Sequence, residues 1–385
     1  MEILTATFRI VTPMFLGGAD QSPSDGIRPP SVKGALRFWW RALNWGRFRT
    51  ASGATDTSAL QELHKEEARL FGSAADGKGG GGQGCFLLQM TDARFEYGRT
   101  GLPPGEKYLR GQGLNTRDCL NEGTFCTQIL FRPTVSEPKK KAVRQALIAW
   151  GSLGGLGSRS RHGMGSIALE KIVDGKKKEI WTAPTTQEEY EEKIKELLVS
   201  FATVPEPDYS AFSQKSRVDI LLSATMPHEV LNQFGMKMLD YRSWGQTSSG
   251  NILPSGKVSE KRFKDDHDWL RVPTFRTTYP DFHPQRVVFG LPHNYGKWTK
   301  VNGVKSERRA SPLLFHVHRL SDNAYIGVSI LLRSRFLPDG EKINADGEEV
   351  PPEVDWNVII DFLDGKIGNP PTSADRFPCK KPVLP

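Results

Sequence analysis

The sequence predicts an α+β fold built from two successive strand, helix, strand, strand, helix, strand units, both with loop insertions and the second irregular. Three observations predict it. Alternating strand patterns and helical apolar stripes follow one another in that order, prolines and capping residues mark helix starts, and glycine- or proline-rich stretches separate the elements.

From Ile3 to Val11 the residues alternate, with Leu4, Ala6, Phe8 and Ile10 on one side, as in a half-buried strand. Pro13 ends it. After a Gly-, Ser- and Asp-rich loop, Pro29-Pro30 and Ser31, the expected N-cap, introduce a helix from Val32 to Asn44. Val32, Leu36, Trp39 and Leu43 form its apolar stripe, while Lys33, Arg37 and Arg41 fall on a separate stripe beside Trp40 and Asn44. The glycine run from Ala74 to Gly84 reads as a flexible insertion. Strands are expected from Cys85 to Met90 and from Phe125 to Phe131. A helix from Pro138 to Trp150, with Ser136 as cap, opens on Lys139-Lys140-Lys141 and runs into the glycine-rich Gly151 to Ser166. A strand from Ile167 to Val173 closes the unit.

This order is the split βαβ, or ferredoxin-like, arrangement. It sets a first domain at residues 1–174. Residues 175–214 read as a connector holding a helix from Thr186 to Phe201, with Thr186 and Glu189 as its capping box. Residues 215–385 offer a strand from Val218 to Ala224, a helix from His228 to Trp244 and a long irregular stretch through Gly303. A hairpin of Leu313 to Arg319 and Tyr325 to Leu332 and a helix from Asp355 to Leu363 follow. The tail is too proline-rich for a regular strand, so the second unit lacks an evident last strand.

At 385 residues the chain can form two or three domains, each with its own core. Its formal charge of +8 and pI near 9.2 favour polyanionic partners. The four cysteines are widely spaced and form no C-x-x-C pair, so neither a zinc ribbon nor a disulfide framework is indicated. No apolar run approaches a membrane span and no signal peptide opens the chain, so the expected location is cytoplasmic, with no membrane partner.

A helix with cations and tryptophans on its outer side suits phosphates and unstacked bases. The plain alternative is a solvated face. The glycine-rich loop adds weight, because its six glycines enclose Arg159, Arg161 and His162, and glycine lets consecutive N–H groups line an anion-binding concavity. No Gly-Lys-Ser/Thr ends it, and the glycines follow a helix, so it is neither a Walker nor a Rossmann loop.

The stretches TPMFLGG, RPPSVKGALRFWWRA, LGGLGSRSRHGMGS, RRASPLLFHVHRL and SRFLPDG together resemble the RAMP superfamily of CRISPR proteins, within it the subunits of type III-B Cmr effector complexes. The resemblance implies two ferredoxin-like domains related to the RNA recognition motif, no cofactor and no small-molecule substrate. It implies a non-catalytic, RNA-binding place in an antiviral ribonucleoprotein, beside the 3' part of the guide RNA and the paired target RNA, among other Cmr-complex RAMP subunits. Onto this chain it carries Lys33, Arg37 and Arg41, the loop from Gly154 to Gly165 with Arg159 and Arg161, and Arg308 with Arg309. The expected RNA-binding set is Arg28, Lys33, Arg37, Trp40 and Arg41, then Gly154, Gly155, Gly157, Arg159, Arg161, His162, Gly163 and Gly165, then Arg308 and Arg309. Reversing charge at Lys33, Arg37 and Arg41 is expected to weaken RNA binding with little effect on folding.

The rival reading is a RAMP endoribonuclease acting on guide precursor or target RNA, with or without metal. Only His162 lies in a cationic loop, and no sequence feature supplies its partner. Asp20 and Asp25 read as turn residues, His316 and His318 as a polar strand face, and Asp265-Asp266-His267-Asp268 as an exposed acidic loop. Neither catalytic residues nor metal ligands are assigned.

Overall fold

The structure, a computed structural model, describes residues 2–18, 21–74, 82–98, 103–244, 251–279, 281–295, 299–368 and 375–384. Asp20 lies outside them. β1 (Glu2–Ile10) shows the expected alternation, burying Leu4, Ala6, Phe8 and Ile10. α1 (Pro29–Arg49) starts before Ser31: Arg28 is its N-cap, and the prolines occupy the first two helical positions, whose N–H groups have no intrahelical partner anyway. α2 (Asp56–Phe71), reciprocally capped by Thr55 and Ser58, packs along α1 and has no counterpart in the sequence reading. β2 (Gly72–Ser73), just before the glycine run, pairs with β3 (Gly82–Gln83) near its end in a short ribbon.

β4 (Phe86–Gly98), α3 (Pro104–Arg110), β5 (Cys119–Phe131), α4 (Glu137–Leu153), β6 (Ile167–Asp174) and β7 (Glu179–Thr182) follow. Their sheet runs β4-β5-β1-β6-β7, every neighbour antiparallel. α5 (Gln187–Leu198) has Thr186 as N-cap, accepting from the Glu189 N–H, and the Glu189 carboxylate accepts from the Thr185 N–H.

The second sheet joins β8 (Arg217–Ala224), which precedes α6 (Pro227–Arg242), to strands much later in the chain. The stretch expected to be irregular holds α7 (Lys264–Arg271), α8 (Pro273–Thr278), β9 (His293–Tyr295) and β10 (Thr299–Gly303). The hairpin is β11 (Leu313–Ser321) and β12 (Ala324–Leu331); β13 (Ile343–Ala345), β14 (Glu348–Val350) and α9 (Asn357–Leu363) follow. β15 (Lys381–Leu384) corrects the reading of the tail. It pairs antiparallel with β8 at the sheet edge, where Pro382 can face outward without breaking a ladder. The sheet order is β11-β12-β8-β15, and β9, β10, β13 and β14 form a separate small sheet.

The two large sheets share a core. Val218, Ile220, Leu314, Val328 and Ile330 pack with residues of α1, α4 and α5, while Leu221, Phe315, Val317 and Leu331 on the opposite face pack with α6 and α9. Burial on both faces explains why these strands read as continuous apolar runs, whereas β1 alternates.

Candidate nucleic-acid interface

The glycine-rich loop, which leaves α4 and enters β6, is stitched into its surroundings. Leu156 N–H donates to the Gly165 carbonyl (2.9 Å), Ser158 N–H to Phe15 (2.8 Å) and Gly165 N–H to Pro13 (2.8 Å). Thr12 Oγ1 donates to the Gly163 carbonyl (2.6 Å), and Phe315 N–H on β11 donates to the Arg161 carbonyl (2.9 Å). Gly157 and Gly165 have positive φ, and a Cβ on Gly155 would lie 2.6 Å from the Gly165 oxygen. These glycines serve close backbone packing, and the N–H groups named here already have protein partners. The loop places side chains more than it cradles an anion.

Of those side chains, Arg161 is central. Its guanidinium lies 5.0 Å from the Phe38 ring of α1 and donates to the Ser311 carbonyl (2.6 Å). Burial and Arg309 lower its pKa to about 10, so it stays charged at neutral pH. Phe38 and Arg161 line two adjoining grooves. One, about 520 Å³, continues along Arg41, Leu60, Tyr209, Arg309 and Arg335; the other, about 230 Å³, runs along Ser31, Ala35, Gly154, Gly155, Gly157 and Leu314. Together they follow the seam between α1, the loop and the second sheet. Four arginines face two carboxylates here, Asp208 and Asp339, both paired with Arg335.

The predicted residues separate accordingly. Arg41 reaches the seam while holding Glu67 of α2 (2.7 Å). Lys33 and Arg37 line a different groove, with Phe71, Gly72, Gln83 and Phe86. Arg37 also contacts Glu67 (3.5 Å) and the Gly72 carbonyl, and burial followed by Arg37 lowers the Lys33 pKa. Trp40 is 1% exposed beneath α2, packed on Phe71 and Phe48, so its ring offers no face to a base. Two of the three stripe cations thus hold a buried glutamate, and a triple charge reversal disturbs the α1–α2 contact as well as any ligand.

Arg28 is exposed and donates to the Gly17 carbonyl (2.9 Å); Arg159 and Arg308 are exposed. Arg309 donates to the Phe336 carbonyl and to Ser210 and Ser334, so it builds the groove wall. His162 is held down to about 3 by burial and the nearby arginines, and is therefore neutral. Gly163 and Gly165 are buried, Gly163 against Leu231 and Phe315. Sequence reasoning missed Phe38, Tyr209 and Arg335. Phe38 falls on neither helical stripe, but Arg335 stands in SRFLPDG, already prominent as a motif.

Two further readings change, and that of Asp25 as a turn residue does not. His316 and His318 do share a strand face, 3.3 Å apart, but it is fully buried against Tyr190. The expected exposed acidic loop is α7, whose buried Asp266 accepts from Tyr295 Oη and from the Gln285 and Arg286 N–H groups. Asp25 is exposed in a short 3-10 turn. Among the described residues no group of three or more His, Cys, Asp or Glu could hold a metal ion, and no helix is long and apolar enough to cross a membrane.

The sequence profile of the RAMP superfamily matches residues 7–168, from β1 through the loop into β6. That stretch of the chain is similar to the superfamily. The chain is similar to the CRISPR system Cmr subunit Cmr1-1 of Pyrococcus furiosus, 23% identical over 351 residues that cover 87% of each chain. Its fold is similar to the apo crystal structure of Cmr1 from Pyrococcus furiosus, with a TM-score of 0.51 at 20% identity, over 94% of this chain and 97% of that one. A chain in the cryo-EM structure of the Type III-B Cmr-beta bound to cognate target RNA matches at a TM-score of 0.49 and 12% identity, over 93% and 97%.

Proposed function

We propose that this chain is a non-catalytic RNA-binding subunit of a type III-B Cmr effector complex, contacting the 3' region of the guide RNA or the paired target RNA. Its partners are then those RNAs and the other RAMP subunits, in the cytoplasm. The seam groove supports the reading best: Arg161 is fixed over Phe38, with Arg41, Arg309 and Arg335 along the same wall. Fixed arginines suit phosphates, and the groove needs little reorganisation to accept a single strand. Each large sheet has the strand order of a ferredoxin-like unit, so two such domains, divided at residues 174 and 214, belong to this proposal.

Binding is favoured over cleavage because His162, held down to about 3 by burial and the nearby arginines, is a poor proton acceptor, and the charged groups that act on it are arginines, not carboxylates. The test is titration of the full chain with labelled single-stranded RNA of about 10 nucleotides, a length near single-module site sizes. Binding that weakens linearly in log–log salt plots supports the reading. Binding that ignores salt, or survives Arg161→Gln unchanged, overturns it.

A further inference from the structure

We propose that a second cationic surface, formed by the lysine turn at residues 176–178 together with Lys141 at the start of α4, binds the phosphate backbone of RNA outside the seam groove. Lys139-Lys140-Lys141 stood out in the sequence as part of a cationic helix leading to the glycine loop. The structure puts them at the other end of that helix. Lys141 lies twelve positions before Leu153 in α4, about 18 Å at the helical rise.

Lysines in a helix's first turn oppose the macrodipole. Lys139 is balanced by Glu66 (3.3 Å) and Lys140 by Glu2 and Glu137, whereas Lys141 is exposed with no ion pair among the described residues. The β6–β7 turn shows the same disregard for local electrostatics. The Asp174 carboxylate accepts the N–H groups of Lys176 (2.8 Å) and Lys178 (2.9 Å), and Lys177 takes a positive φ of 62°, a position where Gly or Asn is the unstrained choice. All three lysines are exposed, again without ion pairs among the described residues.

The two features are neighbours. Leu4 pairs with Asp174, a Cβ on Gly175 would lie 3.7 Å from Ile3, and Lys140 grips Glu2 one residue earlier. Four uncompensated cations thus flank the start of β1. The turn, Asp174-Gly175-Lys176-Lys177-Lys178-Glu179, offers no apolar anchor for a membrane and no ring for a base. What remains is attraction to a polyanion's backbone, without sequence preference. The choice of RNA as that polyanion rests on the proposed function; the location of the surface does not.

The experiment uses the full chain and two labelled uridine oligomers, about 10 and about 40 nucleotides long, only the longer able to span groove and turn together. The combined Lys141→Gln, Lys176→Gln, Lys177→Gln and Lys178→Gln variant should weaken binding of the long oligomer about tenfold near 0.1 M salt and lower its log–log salt slope by about two to three. The short oligomer, held in the groove, should bind within about twofold of the parent. Unchanged affinity and slope for the long oligomer overturn the proposal, as does equal loss for both lengths. Loss of binding to phosphatidylserine vesicles with RNA binding intact also overturns it, in favour of a membrane. If the parent binds the long oligomer through the lysines but not the short one, the groove reading fails and this one stands.

Discussion

The glycine loop and α1 carry the same kinds of residue, arginines among glycines and aromatics, yet they end in different situations. The loop is tied on several sides by hydrogen bonds to Pro13, Phe15 and β11, and Arg161 emerges from it toward the seam. α1 is covered along its supposed outer face by α2, so Arg37 and Arg41 meet the buried Glu67 before they meet any ligand. Charge spacing along a segment says which residues share a face. It does not say what packs over that face, and here the packing decides which arginines remain at a groove.

The sharpest way to break the comparison is at the loop's backbone. Gly165 has φ +61°, and a Cβ there would collide with the Leu156 carbonyl oxygen, which cannot move because it belongs to the same stitched loop. Gly165→Ala should cost about 3 kcal/mol or more in urea-unfolding free energy and should also abolish binding of short RNA. A variant of parental stability would show the loop to be pliable, and its arginines no better positioned than those of a surface helix.

Next in size is the response to pH. The loop's far side rests on β11, where burial holds His316 down to about 3 and His318 well below the usual histidine value. Both are neutral in the folded chain. Below about pH 6.5 the unfolded chain takes up protons that the folded one refuses, so stability falls as pH falls, by up to about 1.4 kcal/mol per unit for each histidine. Unfolding titrations at pH 7 and pH 5 should show the loss, and His318→Phe should reduce it. A flat profile would remove this support from the loop side of the comparison.

A third measurement sets one arginine against another. Arg161→Gln should weaken short-RNA binding by about 10- to 100-fold, as expected for losing a charge-assisted contact. Arg37→Gln should change it by less than about threefold while lowering stability by about 1 kcal/mol, because Glu67 loses one of its two cations. Equal binding losses would mean that the strand lies across the whole of α1.

Much of this was legible in the chain. The alternation of β1, the helical stripe of α4 and the strand signals of the hairpin are local patterns, and local structure obeyed them. α2 was not, because its buried stripe of Ala59, Leu63, Glu67 and Leu70 contains a carboxylate, acceptable only since Arg37 and Arg41 from another helix neutralise it. β15 escaped for a similar reason: a proline-bearing strand is possible only at an edge, and no local pattern reveals the edge that β8 leaves open. Trp40 looked like a ligand face for want of knowing that α2 exists. At the groove, the loop and Arg41 could be found from sequence, whereas Phe38 and Arg335 meet Arg161 only through the seam.

The smallest expected effect returns to glycine, with the opposite sign. Gly34 lies in the exposed interior of α1, with a helical backbone and, beyond its chain neighbours and its own helix backbone, nothing within 4 Å of where its Cβ would be. Unlike Gly165, it contributes only unfolded-state entropy, so Gly34→Ala should stabilise the chain by about 0.5–1 kcal/mol. It also sits one turn before Phe38 on the same helix, close to the groove but not lining it. Short-RNA affinity should therefore match the parent within about twofold, the change expected of a methyl group pointing to solvent. A clear loss of affinity in a more stable protein would mean that the strand presses directly on the helix backbone at Gly34, which would move the interface from the seam onto α1 itself.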